Sequence, residues 1–123
     1  MPLNQPYYFD DIDDIIILPD NHKRIMKLLG QNGAFKSKAW FAGQILHQAL
    51  DWFSNTYNNN AAIPRSEKQE KGVYIPFGLS TTDHKRIVSL AKRVGVVNII
   101  LELFFDAVDN GKIQIVLDDG ESK

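Results

Sequence analysis

The chain has 123 residues, a net charge of −1, no cysteine, and 44% hydrophobic and 11% aromatic residues. This composition excludes global disorder, disulfide frameworks and thiolate metal sites, and the length points to one small domain or two small units sharing a core. No run of about 18 apolar residues is present to cross a bilayer, and the N-terminal stretch lacks the basic and apolar regions of a secretory signal, so a cytoplasmic protein is expected.

Residues 1–11 hold two prolines and no clear period, and read as an irregular arm. Ile12 to Leu18 is a β-branched run with an acidic start, which predicts a short strand before the turn-like Pro19 and Asp20. From Asn21 the apolar positions Ile25, Met26, Leu28 and Leu29 take helical spacing, with Asp20 or Asn21 as cap and "GQNG" at 30–33 as the stop. A longer helix is predicted from Ser37, with Phe41, Ala42, Ile45, Leu46, Leu50, Trp52 and Phe53 on a broad apolar face. These elements make a first unit over 12–54. The Asn-rich, polar stretch 55–72, with Pro64 and Gly72, reads as a linker.

The pattern then restarts over 73–111. Val73, Ile75, Phe77 and Leu79 alternate with Tyr74, Pro76, Gly78 and Ser80, the period of a half-buried strand. Pro76 has no N–H to donate and restricts this strand to an edge or a two-stranded ribbon. Ser80, Thr81 or Thr82 can cap a helix through Ile87, Leu90 and Val94, and Gly95 stops it. A second helix, "NIILELFFDAVDN", ends at Gly111, with Asn98 as its expected cap. The tail 112–123 alternates briefly and suggests an extra strand.

"NHKRI" at 21–25 and "DHKRI" at 83–87 stand 62 positions apart, and "ILHQALDWF" at 45–53 aligns with "ILELFFDAV" at 100–108. Each half thus reads strand, short basic helix, turn, longer apolar helix. The expected fold is mainly α with a short β-ribbon, two strand–helix–helix units forming an intramolecular pseudo-dimer. Charge follows the same division: residues 1–20 carry five Asp and no base, whereas both copies of the pentapeptide lie in basic blocks.

The second copy resembles the ribbon-helix-helix family of DNA-binding proteins. The resemblance runs from Val73 to Gly111, with Leu79–Ser80, Ile87, Leu90–Ala91 and Gly95 at the family's strand end, helix start, helix core and turn. The first copy is similar more weakly, over 15–53. The resemblance implies strands that enter the major groove of double-stranded DNA and second helices whose N-termini hold phosphate. Carried onto this chain, the strand-face readers are Tyr74, Pro76 and Gly78, of which only Tyr74 offers a hydrogen-bonding side chain. The phosphate contacts are Ser37 between Lys36 and Lys38 in the first copy and Asn98 in the second. Lys23, Arg24, Lys85 and Arg86, on the leading helices, complete the expected DNA-binding set.

This reading gives a transcriptional regulator or an accessory factor of a plasmid, phage or mobile element. Its alternative is a non-enzymatic assembly or adaptor subunit that has lost DNA readout, suggested by Pro76 and Gly78 where readers belong and by Asp13 or Asp14 on the first strand's face. No enzyme, cofactor or metal is expected. The three histidines, His22, His47 and His84, lack metal-ligand spacing, and His47 with Asp51 reads as an i, i+4 surface pair. The surplus of apolar residues in "NIILELFF" predicts a homo-oligomer through the second-copy helices.

Overall fold

The strand-forming character of the isoleucine run is realised in β1, Asp11–Ile17, which pairs antiparallel with β2, Val73–Leu79. In the computed structural model, which describes residues 8–31, 38–57, 72–90 and 96–116, these two strands form a two-stranded sheet. Among the described residues, which are mainly helical, four helices complete the fold: α1 (Pro19–Gln31), α2 (Lys38–Tyr57), α3 (Thr81–Leu90) and α4 (Val96–Asp109). The register sets Asp14 opposite Pro76 and Ile15 opposite Ile75. A two-stranded ribbon tolerates Pro76 because no third strand asks for its missing donor.

The pleat divides the ribbon. Ile17, Ile75, Phe77 and Leu79 are buried toward the helices, whereas Ile12, Asp14, Ile16 and Tyr74 are exposed on the opposite face. Beneath the ribbon, Ile45, Leu46 and Leu50 of α2 meet Ile100, Leu101, Phe104 and Phe105 of α4 in one core that also takes in Ile25. Trp52 and Phe104 rings lie 5.9 Å apart where the two long helices approach. Each aromatic side chain fully buried here contributes roughly 1.5–3 kcal/mol of hydrophobic stabilisation. α2 also packs closely on β2, and its small residues Ala39 and Ala42 are buried.

Helix ends follow local chemistry, with differences from the sequence-based expectation. α1 starts at Pro19, whose fixed φ suits the first helical position, and His22 N–H already donates to Leu18 O at 2.9 Å. Asn21 is therefore inside the helix and not its cap. At α3, Ser80 is the cap among the three candidates Ser80, Thr81 and Thr82: its Oγ accepts from Asp83 N–H at 3.2 Å. The arm adds a second cap, since the Asp10 carboxylate accepts from both the N–H and the Oγ–H of Thr81. α4 starts at Val96, so Asn98 is its third residue. Gly111 closes α4 with φ of 72°, Gly111 N–H donating to Val108 O and Lys112 N–H to Ala107 O. The expected C-terminal strand is not formed over 113–116. That segment is instead tied to α2 by Gln48, which donates to Val116 O and accepts from Val116 N–H. Gly33 and Gly95, expected to stop the two leading helices, lie outside the described residues.

The candidate site: ribbon face and helix starts

The residues expected to touch DNA fall into four situations. Lys36 and Ser37 lie outside the described residues; Lys38 is exposed as the first residue of α2. Lys23 and Lys85 are exposed on α1 and α3. Both arginines are engaged within the protein. Arg24 donates from both terminal nitrogens to Asp109, at 2.9 and 2.8 Å, with its guanidinium 4.9 Å from the centre of the Phe105 ring. Arg86 donates to Asp51 and, at 3.4 Å, to Asp83. The guanidinium of Arg24 holds the Asp109 carboxyl below the usual carboxylate range.

Asn98 departs furthest from its expected part. It is buried, 6% exposed, and its side chain holds the junction between β1 and α1. Its Oδ1 accepts from Leu18 N–H at 2.8 Å, its Nδ2 donates to Ile16 O at 2.9 Å, and Asn21 Nδ2 donates to Asn98 O at 3.0 Å. A buried amide whose oxygen and nitrogen are both engaged inside the protein is not presented to a phosphate, which corrects the expectation of a clamp at this position. Its partners lie about 80 positions away in the chain, so no local pattern announced it.

Next to this junction is an open groove of about 350 Å³ lined by Asn21, Lys23, Arg24, Asp20, Glu102 and Asp106, with Phe105 and Leu18 at its side. Three carboxylates surround its two bases, so the groove does not favour an anion. A second polar cluster stands between α2 and α3, 62 positions after the α1 residues of the groove and 55 before its α4 residues. There His47 Nδ1 lies 2.7 Å from Asp83 Oδ2, and His47 Nε2 lies 3.4 Å from Asp51. A carboxylate only accepts, so Nδ1 carries the proton. Asp83 is fully buried, and its hydrogen bond, ahead of its charge, raises the His47 pKa above 6.5 against the opposing effect of burial. The expected His47–Asp51 pair is present, but the stronger partner is Asp83, across the interface between α2 and α3. His84 meets Asp13 of the ribbon at 2.8 Å.

The ribbon carries most of the large exposed hydrophobic side chains among the described residues. Tyr74, expected as a reader, is 67% exposed. Its cross-strand partner Ile16 is 46% exposed, and farther along the same face stand Asp14, exposed, and Ile12 at 50%. Pro76 is half-buried, and Phe9 covers Gly78, where an added Cβ would lie 2.6 Å from the ring. No lysine, arginine, asparagine or glutamine occurs in either strand. Ile12 and Ile16 were hidden in the sequence because the run from Ile12 to Leu18 has no clean alternation; only the pairing register separates its faces.

The apolar residues of α4 have a different fate from that expected. Ile99, Ile100, Leu101, Phe104 and Phe105 are buried within the single chain, and Leu103 is half-buried. The four-helix core consumes them, which removes the basis for an oligomer built through this helix. Large exposed hydrophobic residues, among those described, lie mainly on the ribbon and the arm: Tyr8, Ile12, Ile16, Val73 and Tyr74, with Val88 apart on α3. Compared with protein-family models, curated proteins and solved structures, the chain matches none of them. Among the described residues no cluster of metal-ligating side chains occurs, and no helix is long and apolar enough to cross a membrane.

Proposed function

We propose that the chain is a tandem scaffold of ribbon-helix-helix type, an intramolecular pseudo-dimer, whose ribbon docks protein and does not read bases. The repeat has several supports. β1 and β2 have equal length and stand 62 positions apart, as do the starts of α1 and α3. The central ribbon pair, Asp14 and Pro76, is separated by the same 62 positions, which is what a twofold axis through the ribbon requires. In the long helices, Ile45 and Ile100, Leu46 and Leu101, and Leu50 and Phe105 are buried pairs at the shorter offset of 55.

The observation that carries the docking reading is the chemistry of the outer ribbon face. Base edges in the major groove present donors and acceptors that Arg, Lys, Asn or Gln pair with. This face offers two isoleucines, a proline, a tyrosine and an aspartate, and the aspartate repels phosphate. Exposed apolar side chains bordered by charge are what a protein partner covers.

A second reading keeps the family's DNA-binding activity, through backbone contacts without base readout. It is favoured by Lys38 standing exposed at the start of α2, where the positive end of the helix dipole attracts an anion. Anisotropy of a labelled random-sequence duplex at low salt separates the two. The docking reading expects no saturable binding up to about 100 μM protein, the weak end of ordinary non-specific affinity. Tighter binding that weakens steeply with salt and is lost in Lys36→Glu with Lys38→Glu would replace it with the second reading.

A further inference from the structure

The ribbon has two outer edges, and they are not equivalent. Pro76 sits at the centre of β2 opposite Asp14. Its nitrogen carries no proton, so this pair belongs to the non-hydrogen-bonded kind, and the bare nitrogen faces the outer edge of β2. That edge lacks its central donor. By the alternation of an antiparallel ladder, Ile12, Asp14 and Ile16 occupy pairs of the same kind on β1. Their N–H and C=O groups point away from β2, toward the outer edge of β1, where Asn98 Nδ2 already donates to Ile16 O and Ile12 N–H already donates to Asp11 Oδ1, so Ile12 O, Ile16 N–H and both backbone groups of Asp14 are left to offer.

The side chains of these three residues are exposed on the outer face, so one strip offers backbone hydrogen bonds, two apolar anchors and a central charge. No described residue pairs with the Asp14 carboxylate, whereas Asp10 caps α3 and Asp13 meets His84. β1 contains no base of its own, and Asp11 is exposed beside the strip. Charge then decides the occupant. A second copy pairing through β1 would bring these aspartates against one another, and like charges across neighbouring strands destabilise the pair. An extended segment with a basic residue opposite Asp14 and apolar residues opposite Ile12 and Ile16 satisfies all three.

We propose that the outer edge of β1 accepts such a cationic, extended segment of a partner protein as a third strand. The backbone supplies the affinity and the Asp14–base contact sets the register, as in strand addition generally. This rests on the reading of the ribbon as a protein-docking surface and names its partner class.

The probe is a fluorescein-labelled peptide of about nine residues, enough for one ordinary strand. It carries lysine at the centre, valine two residues to either side and threonine between. Its counterparts carry glutamate at the centre, or N-methyl groups on the amides that would face β1. The lysine peptide is expected to bind the full chain at least about tenfold more tightly than the glutamate peptide, a gap of about 1.4 kcal/mol. Asp14→Lys should reverse the preference, Asp14→Asn should abolish it, and N-methylation should abolish binding. Circular dichroism confirms that each variant is folded. Equal affinity for the lysine and glutamate peptides, undiminished binding of the N-methylated one, or no binding at about 1 mM, the limit of weak recognition, overturns the proposal. The random-duplex titration run alongside keeps the two failures apart. Silent peptides with a silent duplex remove the β1 edge alone, whereas salt-dependent duplex binding removes the docking reading itself.

Discussion

At the scale of single residues, two buried polar side chains hold the molecule to one arrangement. Asn98 reaches from α4 to the end of β1, and Asn98→Ala would leave Leu18 N–H and Ile16 O without their side-chain partners. Burying unpaired groups costs far more than a net hydrogen bond returns, so a loss of about 2–4 kcal/mol in urea unfolding is expected. The His47–Asp83 pair gives a pH dependence whose sign is fixed. The Asp83 hydrogen bond raises the folded-state pKa of His47 above 6.5, so the histidine's stabilising contribution is complete below 6.5 and declines as pH rises through the raised value. Asp51 and Arg86 face the same imidazole, the first adding to the shift and the second opposing it. Thermal melts of wild type and His47→Gln should therefore diverge most on the acidic side and converge as pH rises. A stability difference that grows with pH instead would contradict the assignment. Neither Asn98 nor Asp83 was legible as a structural anchor, because their partners are distant in sequence; what the sequence showed at Asn98 was an amide near a helix start, which is the ordinary signature of a cap.

At the scale of elements, the local signals were strong where they involved backbone chemistry. Pro76 restricted β2 to an edge or a two-stranded ribbon, the run Ser80 to Thr82 marked the start of α3, and Gly111 marked the end of α4. Gly111→Ala tests the last of these: with φ at 72° and no atom near its side-chain position, the cost is conformational alone, about 1–2 kcal/mol. The drop should appear in denaturant midpoint without a change in m-value, since the unfolded surface is unaffected. Signals failed where tertiary contacts decided. The C-terminal segment alternates like a strand, yet Gln48 of α2 takes up both backbone groups of Val116, which a ladder would otherwise pair. The apolar excess of α4 read as an interface, yet it is buried in a core shared with α2. The arm is irregular over 8–10 as expected, and tertiary contacts add what its sequence did not show: Asp10 N–H donates to Leu79 O and Phe9 lies over Gly78.

At the scale of the whole molecule, the proposed pseudo-dimer makes a demand on the chain that ordinary single domains do not. If each half is one strand–helix–helix unit, neither half can bury its own apolar face. The first would lose the partners of Ile45, Leu46 and Leu50 on α4, and the second would lose those of Ile100, Leu101 and Phe104 on α2. The polar contacts also cross between halves: Asn98 to the β1 end, His47 to Asp83, Arg24 to Asp109 and Arg86 to Asp51. Two polypeptides comprising residues 1–61 and 66–123, prepared separately, should each show little helix by circular dichroism. Mixed in equal amounts, they should recover the helical spectrum of the intact chain with a concentration-dependent midpoint, because the linker's effective concentration has been removed. The equimolar complex should form in preference to either homodimer. Pairing two first halves sets Asp14 against Asp14 at the ribbon centre, and pairing two second halves sets Pro76 against Pro76. A half that folds alone as a monomer, with native helix content and no dependence on concentration, would show that the repeat does not build the core by pairing.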